Sequence, residues 1–198
     1  MHTFDREAGA RPSGGDVTPY LRQAVQALAD IHALDWQAEL PTWDQPRSIA
    51  TEVQFWLPIL DKAPEAAWIE QGRELAAALL ASDPQDHRVG LSHGDYQTHN
   101  ILYRADGRRA AVIDWEIAGI GAVGLDLGWL AMMTDESCWY ARLRAEMPVR
   151  SDPQQLLAWY EQATGAPLRN LAVRGARCLP LWRHRSAQHA SPPFRTPR

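Results

Sequence analysis

Lysine is nearly missing from this sequence: its 198 residues include 20 Lys and Arg together, and Lys62 is the single lysine. Cysteine is scarce too, because Cys138 and Cys178 are the only two and lack the spacing of a metal site. Such a pair argues against a disulfide-rich secreted domain and favours a reducing compartment. The sequence therefore predicts a cytoplasmic protein, and its length is enough for one domain with an apolar core.

Long apolar runs and strong charge are absent as well. No run approaches the ~18 residues of a membrane span, and residues 1–15 are polar and glycine-rich, unlike a signal peptide. The net charge of −4 argues against nucleic-acid binding by bulk charge. We therefore expect no membrane and no nucleic-acid partner. The nine tryptophans are interpreted as aromatic filling of a core between helices.

Apolar residues that recur every three or four positions predict a mostly helical chain. Thr18 is expected to cap the first helix, and Pro58 to kink or stop the second. His32 lies on the apolar stripe of the first helix and is interpreted as a packed histidine. The helices are expected over residues 19–34, 48–60, 66–80, 125–133, 136–147 and 153–164.

The two ends of the chain differ in composition from the middle. Residues 1–17 are predicted to be disordered or linker-like. After Gln162 no Asp or Glu follows, and arginine, proline and serine dominate. We interpret residues 171–198 as a basic tail for an anionic partner, as disorder, or as an aberrant end produced by a frame shift. Resequencing the gene would distinguish the last of these, since an intact frame to Arg198 excludes it.

A loop, strand, turn and strand in the middle of the chain carry three oxygen-bearing side chains. Asp95 and Asn100 lie five residues apart in the loop, and Asp114 ends the second apolar strand. Phosphoryl transfer needs a proton acceptor near the attacking hydroxyl and hard oxygen ligands for the metal-bound triphosphate. Asp95 is the candidate base, and Asn100 and Asp114 are the candidate Mg²⁺ ligands. Asp114 is expected to be a buried acid that needs a metal or a strong donor.

The sequence His93-Gly-Asp-x4-Asn100 followed by Ile113-Asp-Trp-Glu116 resembles the aminoglycoside phosphotransferase family, which is also similar to choline kinases. The resemblance covers about residues 18–170. It implies an α+β, mostly α fold: the C-terminal lobe of a protein-kinase-like enzyme, in which a small β-hairpin carries the catalytic loop. It also implies ATP and Mg²⁺ as cofactors and the hydroxyl of a small molecule as acceptor.

The resemblance further implies supporting roles around the loop. His93 would pack against the loop and orient it, and Asp126 would accept backbone N–H bonds from it. Glu116 either assists the metal site or caps the following turn. Gln97 and His99 contact the substrate or nothing.

A complete kinase-like enzyme also has a lobe that covers the nucleotide and supplies a strand lysine. Lys62 follows a predicted helix and does not fit that role. We expect this N-terminal lobe to be absent from the chain and count it as a missing partner. We also expect its absence to impair activity.

Other interpretations remain open. One is a non-catalytic remnant or partial domain. A second is a metal hydrolase built on His93, Asp95, His99 and Asp114. The glycines at 119, 121 and 124 match a dinucleotide fingerprint, but the expected preceding and following strands are missing. The acidic balance would suit a cationic acceptor such as an aminoglycoside, but a solvated acidic surface explains it better.

Overall fold

The structure is a computed structural model that describes residues 16–63, 65–82, 88–139, 144, 147 and 149–168. The predictions for residues 1–15 and 171–198 lie outside this part. Within it, no helix is long and apolar enough to cross a bilayer. The helices are α1 (Thr18–His32), α2 (Trp36–Glu39), α3 (Ile49–Leu60), α4 (Ala66–Ser82), α5 (Gly124–Thr134) and α6 (Pro153–Thr164). The strands are β1 (Val89–Ser92), β2 (Ile101–Tyr103), β3 (Arg109–Val112) and β4 (Gly119–Ala122).

The strands form two antiparallel pairs, β1 with β4 and β2 with β3. The β2–β3 hairpin is the one predicted, with Ile101 opposite Val112 and a turn in which Gly107 has φ of 81°. Positive φ is readily adopted only by glycine, which fixes the turn at this point. The β1–β4 pair, with Leu91 opposite Ile120, was not predicted. The described chain is thus mostly helical with two small sheets, as expected.

Five of the predicted helices are confirmed to within about two residues at each end. Thr18 is the first residue of α1 rather than its cap, and its N–H donates to Asp16 Oδ1 at 2.9 Å. Pro58 lies inside α3, which still ends at Leu60. The helix expected over 136–147 is wrong at its start. A 3₁₀ turn spans Glu136–Cys138, and Trp139 is already extended with ψ of 145°.

Two apolar clusters hold the helices in place. The first joins α1, α5, α6 and β2 through buried side chains such as Leu28, Ile101 and Leu130. The second joins α3, α4 and β4 around Val53 and Leu79. Each fully buried side chain of this kind contributes about 1.5–3 kcal/mol. The chain from β1 to α5 therefore lies between two separately packed groups of helices.

The expectation that tryptophan fills the core is wrong for the described residues. None of their tryptophans is classed as buried, and Trp43 and Trp115 are exposed. The large core side chains are instead leucine, isoleucine and tyrosine. Tryptophan is large and carries an N–H, so it often stays partly at the surface.

Candidate active site

The loop between β1 and β2 orients Asp95 through its neighbours. The side-chain amide of Gln97 donates to Asp95 Oδ2 at 3.0 Å, and that of Asn100 donates to the same oxygen at 3.3 Å. The Asn100 amide also donates to the Asp95 carbonyl at 2.9 Å. Since the nitrogen of Asn100 is directed at Asp95, its amide oxygen Oδ1 is left as the atom that could meet a cation.

The hairpin brings Asp114 next to Asn100. The N–H of Ile113, the residue before Asp114, donates to the Asn100 carbonyl at 2.9 Å and extends the β2–β3 pairing by one residue. Asp114 is exposed, so the expectation of a buried acid is wrong. The strand ends at Val112, and Asp114 turns out of it with φ of 68°. Aspartate tolerates this left-handed conformation at a cost of about 1–2 kcal/mol.

Asp126 supports the loop from below. It is buried at the start of α5, and its Oδ2 and Oδ1 accept the backbone N–H groups of His93 at 2.7 Å and Gly94 at 2.8 Å. These are the backbone hydrogen bonds expected for this residue. A carboxylate that accepts two N–H groups fixes the path of the chain where the loop begins.

The environment of Asp126 favours the charged carboxylate. Burial alone would raise the pKa of Asp126, but the hydrogen bond and charge of His32, together with the two backbone N–H groups, hold the pKa below its usual value. His32 Nε2 lies 3.2 Å from Asp126 Oδ2. Asp126 therefore acts as a buried anion whose charge is shared among three donors.

His32 extends this support to the last helix. Its Nδ1 lies 2.7 Å from the Tyr160 hydroxyl on α6. A carboxylate can only accept, so Nε2 carries the hydrogen toward Asp126, and in the neutral ring Nδ1 accepts from Tyr160. The expectation of a packed histidine is confirmed in its burial but missed both hydrogen bonds. One chain of polar contacts thus joins α6, α1, α5 and the loop.

His93 is buried with both ring nitrogens engaged. Nδ1 accepts the N–H of Asp95 at 3.3 Å, and Nε2 donates to the Ile113 carbonyl at 2.9 Å. The ring therefore ties the Asp95 loop to the end of β3. A metal hydrolase using His93, Asp95, His99 and Asp114 does not fit, because the described residues hold no group of three or more His, Cys, Asp or Glu that could bind a metal.

Segment 115–118 follows Asp114 in the chain and contributes residues 116–118 to the lining of a cleft. Trp115 packs against His93, with ring centroids 4.6 Å apart, and its Nε1 donates to the Val112 carbonyl. Glu116 is exposed and lies in the cleft lining. A Cβ on Gly94 would lie 2.7 Å from the Ile117 carbonyl oxygen, and Gly94 has φ of 81°. Glycine is therefore required where the loop meets this segment.

The cleft has a volume of about 430 Å³, in the range of small-molecule sites. It lies between α3, segment 116–118, β4 and the start of α5. Asp95, Asn100 and Asp114 are not part of its lining, and Gly94 is the lining residue adjacent to Asp95. The cleft is lined by Asp44, Arg47, Glu52, Phe55, Trp56, Ser92, Gly94, Glu116, Ile117, Ala118, Gly121, Ala122, Leu125, Asp126 and Trp129.

Arg47 explains the first glycine of the sequence that resembled a dinucleotide fingerprint, Gly119. Its backbone N–H donates to the Ile120 carbonyl at 2.8 Å, and its guanidinium occupies the space that a Cβ on Gly119 would need. Its Nη1 lies 3.0 Å from Glu52 Oε1. The glycines of β4 thus admit the Arg47 segment, and their strand is antiparallel rather than part of a parallel nucleotide-binding unit.

The residues present fit a magnesium ion bound with nucleotide. Mg²⁺ takes oxygen ligands and is usually held by one or two protein groups together with phosphate oxygens and water. Asn100 Oδ1 and the exposed Asp114 carboxylate offer such oxygens on adjacent chain segments. They do not form a complete protein cage.

Solved structures with a similar fold are phosphotransferases. A candidate aminoglycoside phosphotransferase from Ralstonia eutropha JMP134 superposes with a TM-score of 0.71 at 20% identity, over 96% of this chain and 62% of that one. Aminoglycoside-3'-phosphotransferase of type VIII superposes with a TM-score of 0.63 at 19% identity, over 87% of this chain and 65% of that one. APH(3'')-Id of Streptomyces rimosus, in complex with ADP and streptomycin, superposes with a TM-score of 0.54 at 17% identity, over 87% of this chain and 64% of that one.

At these identities the likeness establishes the fold, which is that of kinase-like phosphotransferases. The chain spans about two thirds or less of the length of each of these structures. No curated protein matches the sequence. The phosphotransferase enzyme family (APH) matches residues 4–173, most of the chain, and this protein belongs to that family.

Proposed function

We propose that this chain supplies the base and metal ligands for transfer of the γ-phosphoryl group of ATP to a hydroxyl of a small molecule. The observation that carries the proposal is that two hydrogen bonds connect Asp95, Asn100 and the chain at Asp114. The side-chain amide of Asn100 donates to the Asp95 carboxylate, and the backbone carbonyl of Asn100 accepts the N–H of the residue before Asp114. A proton acceptor and two oxygen ligands thus lie on adjoining backbone, as phosphoryl transfer requires.

In this proposal Asp95 accepts or orients the proton of the acceptor hydroxyl. The hydroxyl oxygen forms a bond to the γ-phosphorus, the bond from that phosphorus to the bridging oxygen breaks, and ADP leaves with the electron pair. Asn100 Oδ1 and Asp114 would hold Mg²⁺, which would neutralise charge on the phosphates. Hydrogen bonds from Gln97 and Asn100 hold the orientation of the Asp95 carboxylate, and Asp126 holds the backbone of the loop.

The cleft is the proposed acceptor site. Gly94 lines it and is the residue before Asp95, so a hydroxyl at that end of the cleft would be near the base. Asp114 follows the residue paired with Asn100 and is outside the cleft lining, so nucleotide and metal are proposed to bind there rather than in the cleft. That the Streptomyces rimosus enzyme was solved with ADP and streptomycin supports a two-substrate arrangement of this kind.

The test is phosphoryl transfer from ATP by the full chain, measured as ADP formed with Mg²⁺ and a panel of hydroxyl-bearing acceptors that includes aminosugars, macrolides and compact aromatic alcohols. Replacing a general base commonly costs about 10²–10⁴-fold in rate, so Asp95→Asn should abolish transfer. Asp61→Asn, which changes an exposed carboxylate away from the loop, is the control. Transfer that persists in Asp95→Asn contradicts the assignment of the base.

A binding measurement separates this proposal from a non-catalytic remnant. ATP should raise the melting temperature only when Mg²⁺ is present, and Asp114→Asn should remove the rise. The absence of any Mg²⁺-dependent rise in the unaltered chain would favour the remnant.

A further inference from the structure

The charges in the cleft are partly neutralised within the protein. Asp44 and Glu52 both lie near Arg47, at 3.6 and 3.0 Å between charged atoms. The Asp126 carboxylate is directed at His32 and at the loop N–H groups. Glu116 is the lining acid for which the described part of the chain shows no ion pair. Because the single positive charge of Arg47 is set against both Asp44 and Glu52, the cleft keeps about two negative charges for a cationic ligand, one at this group and one at Glu116.

The remaining lining is apolar and aromatic. Phe55 and Trp56 meet edge to face at 5.1 Å on α3, and Trp129 and Leu125 line the cleft from α5. Phe55 is 57% exposed, and a ligand in the cleft would cover it. Burial raises the pKa of Glu52 although Arg47 opposes this, so the wall near Arg47 disfavours charge.

These features discriminate between acceptors. A ligand with several ammonium groups would lose hydration on entering and find too few carboxylates in return. A polyol without an apolar face would gain nothing from the aromatic side chains. A compact molecule with a flat apolar face would bury that face against Phe55 and Trp56 and release water.

We propose that the acceptor of this site is a compact hydroxyl-bearing molecule with a flat apolar face and no more than two amines, rather than a polycationic aminosugar. The proposal rests on the proposed function, because it takes the cleft as the acceptor site. The aromatic side chains of Phe55 and Trp56 favour an acceptor with an apolar face, and the pairing of Asp44 and Glu52 with Arg47 disfavours a polycation.

Calorimetric titration of the full chain without nucleotide tests this class. The probes are propranolol, an aromatic alcohol with one amine; kanamycin, a polyamine aminosugar; and myo-inositol, a neutral polyol. We expect propranolol to bind at least tenfold more tightly than either of the others. Kanamycin or myo-inositol binding as tightly as propranolol, or no binding by propranolol, overturns the proposal.

Two exposed aromatic residues give a matched pair of variants. Phe55→Ala should weaken propranolol binding about tenfold, as loss of a ring contact of this size commonly does. Trp43→Ala removes another exposed aromatic side chain, 49% exposed and outside the cleft lining, and should leave binding unchanged. Equal effects of the two substitutions would overturn the proposal. Because no nucleotide is used, failure of the phosphoryl-transfer test of the proposed function and failure of this binding order are separate results.

Discussion

The two sides of the loop between β1 and β2, the proposed catalytic loop, differ in burial and in hydrogen bonding. Beneath it, Asp126, His32 and His93 are buried and tied to backbone and to Tyr160. On the other side Asp114 is exposed and has a left-handed backbone. The buried side is almost closed to solvent and fixes the loop, whereas the exposed side keeps its carboxylate open to a ligand. Support of the loop and the proposed metal binding thus fall to different acids.

The largest effect is expected at Asp126. Asp126→Ala leaves two backbone N–H groups and His32 without their buried acceptor, and removing one partner of a buried charged pair costs about 3–5 kcal/mol. The free energy of unfolding in urea should fall by that amount. Asp61→Ala, at an exposed ion pair with Arg73, should change it little. A similar loss in both variants would mean that Asp126 is not the support described.

The dependence of the unfolding free energy on pH, in the acid range, should also reveal the contribution of Asp126. The folded pKa of Asp126 is below its usual value, so its stabilisation is fully present above the unfolded pKa and is lost as pH falls through the folded pKa. The difference in unfolding free energy between the unaltered chain and Asp126→Asn should therefore shrink below about pH 4. A difference that grows in acid would contradict the sign of the shift.

Glycines of positive φ give a graded comparison. In Gly94→Ala the new Cβ would meet the Ile117 carbonyl at 2.7 Å, in addition to the backbone cost of about 1–2 kcal/mol. In Gly165→Ala nothing lies within 4 Å of the new atom, so the backbone cost stands alone. Urea unfolding should rank Gly94→Ala as clearly the more damaging. Equal losses would show that the contact between the loop and segment 115–118 is not tight.

A smaller effect is expected from the hydroxyl at the end of the polar chain. Tyr160→Phe removes the partner of His32 Nδ1 and should cost about 1 kcal/mol. Tyr103→Phe removes a hydroxyl that donates to the Tyr20 carbonyl, at a similar cost elsewhere. Hydrogen exchange at the His93 and Gly94 amides should speed up in Tyr160→Phe and stay the same in Tyr103→Phe. Faster exchange in Tyr103→Phe but not in Tyr160→Phe would show that the hydrogen bond between Tyr160 and His32 does not support the loop.

The smallest change in stability is expected on the exposed side. Asp114→Gly relieves the left-handed backbone but enlarges the freedom of the unfolded chain, so the net change should stay within about 1 kcal/mol. Differential scanning calorimetry would measure it. A loss as large as that of Asp126→Ala would erase the distinction between the two sides.

The sequence predicts the hairpin and the spacing of Asp95, Asn100 and Asp114 because these depend on residues close together in the chain. The β1–β4 pair escapes prediction because its strands are short, glycine-containing and, in β4, buried throughout, so no alternation is visible. The contact of His32 with Tyr160 spans 128 positions, and no local pattern signals it. The exposure of Asp114 depends on where the backbone turns out of the strand, which apolar content alone does not reveal.

The most direct measurement of the central assignment is Mn²⁺ binding, followed by electron paramagnetic resonance in the presence of ATP. Mn²⁺ replaces Mg²⁺ at oxygen-rich sites. Bound Mn²⁺ should be retained in Asp95→Asn, which changes the base, and lost in both Asn100→Ala and Asp114→Asn. If Mn²⁺ binds equally well to all three variants, Asn100 and Asp114 do not hold the metal and the account of this site is wrong.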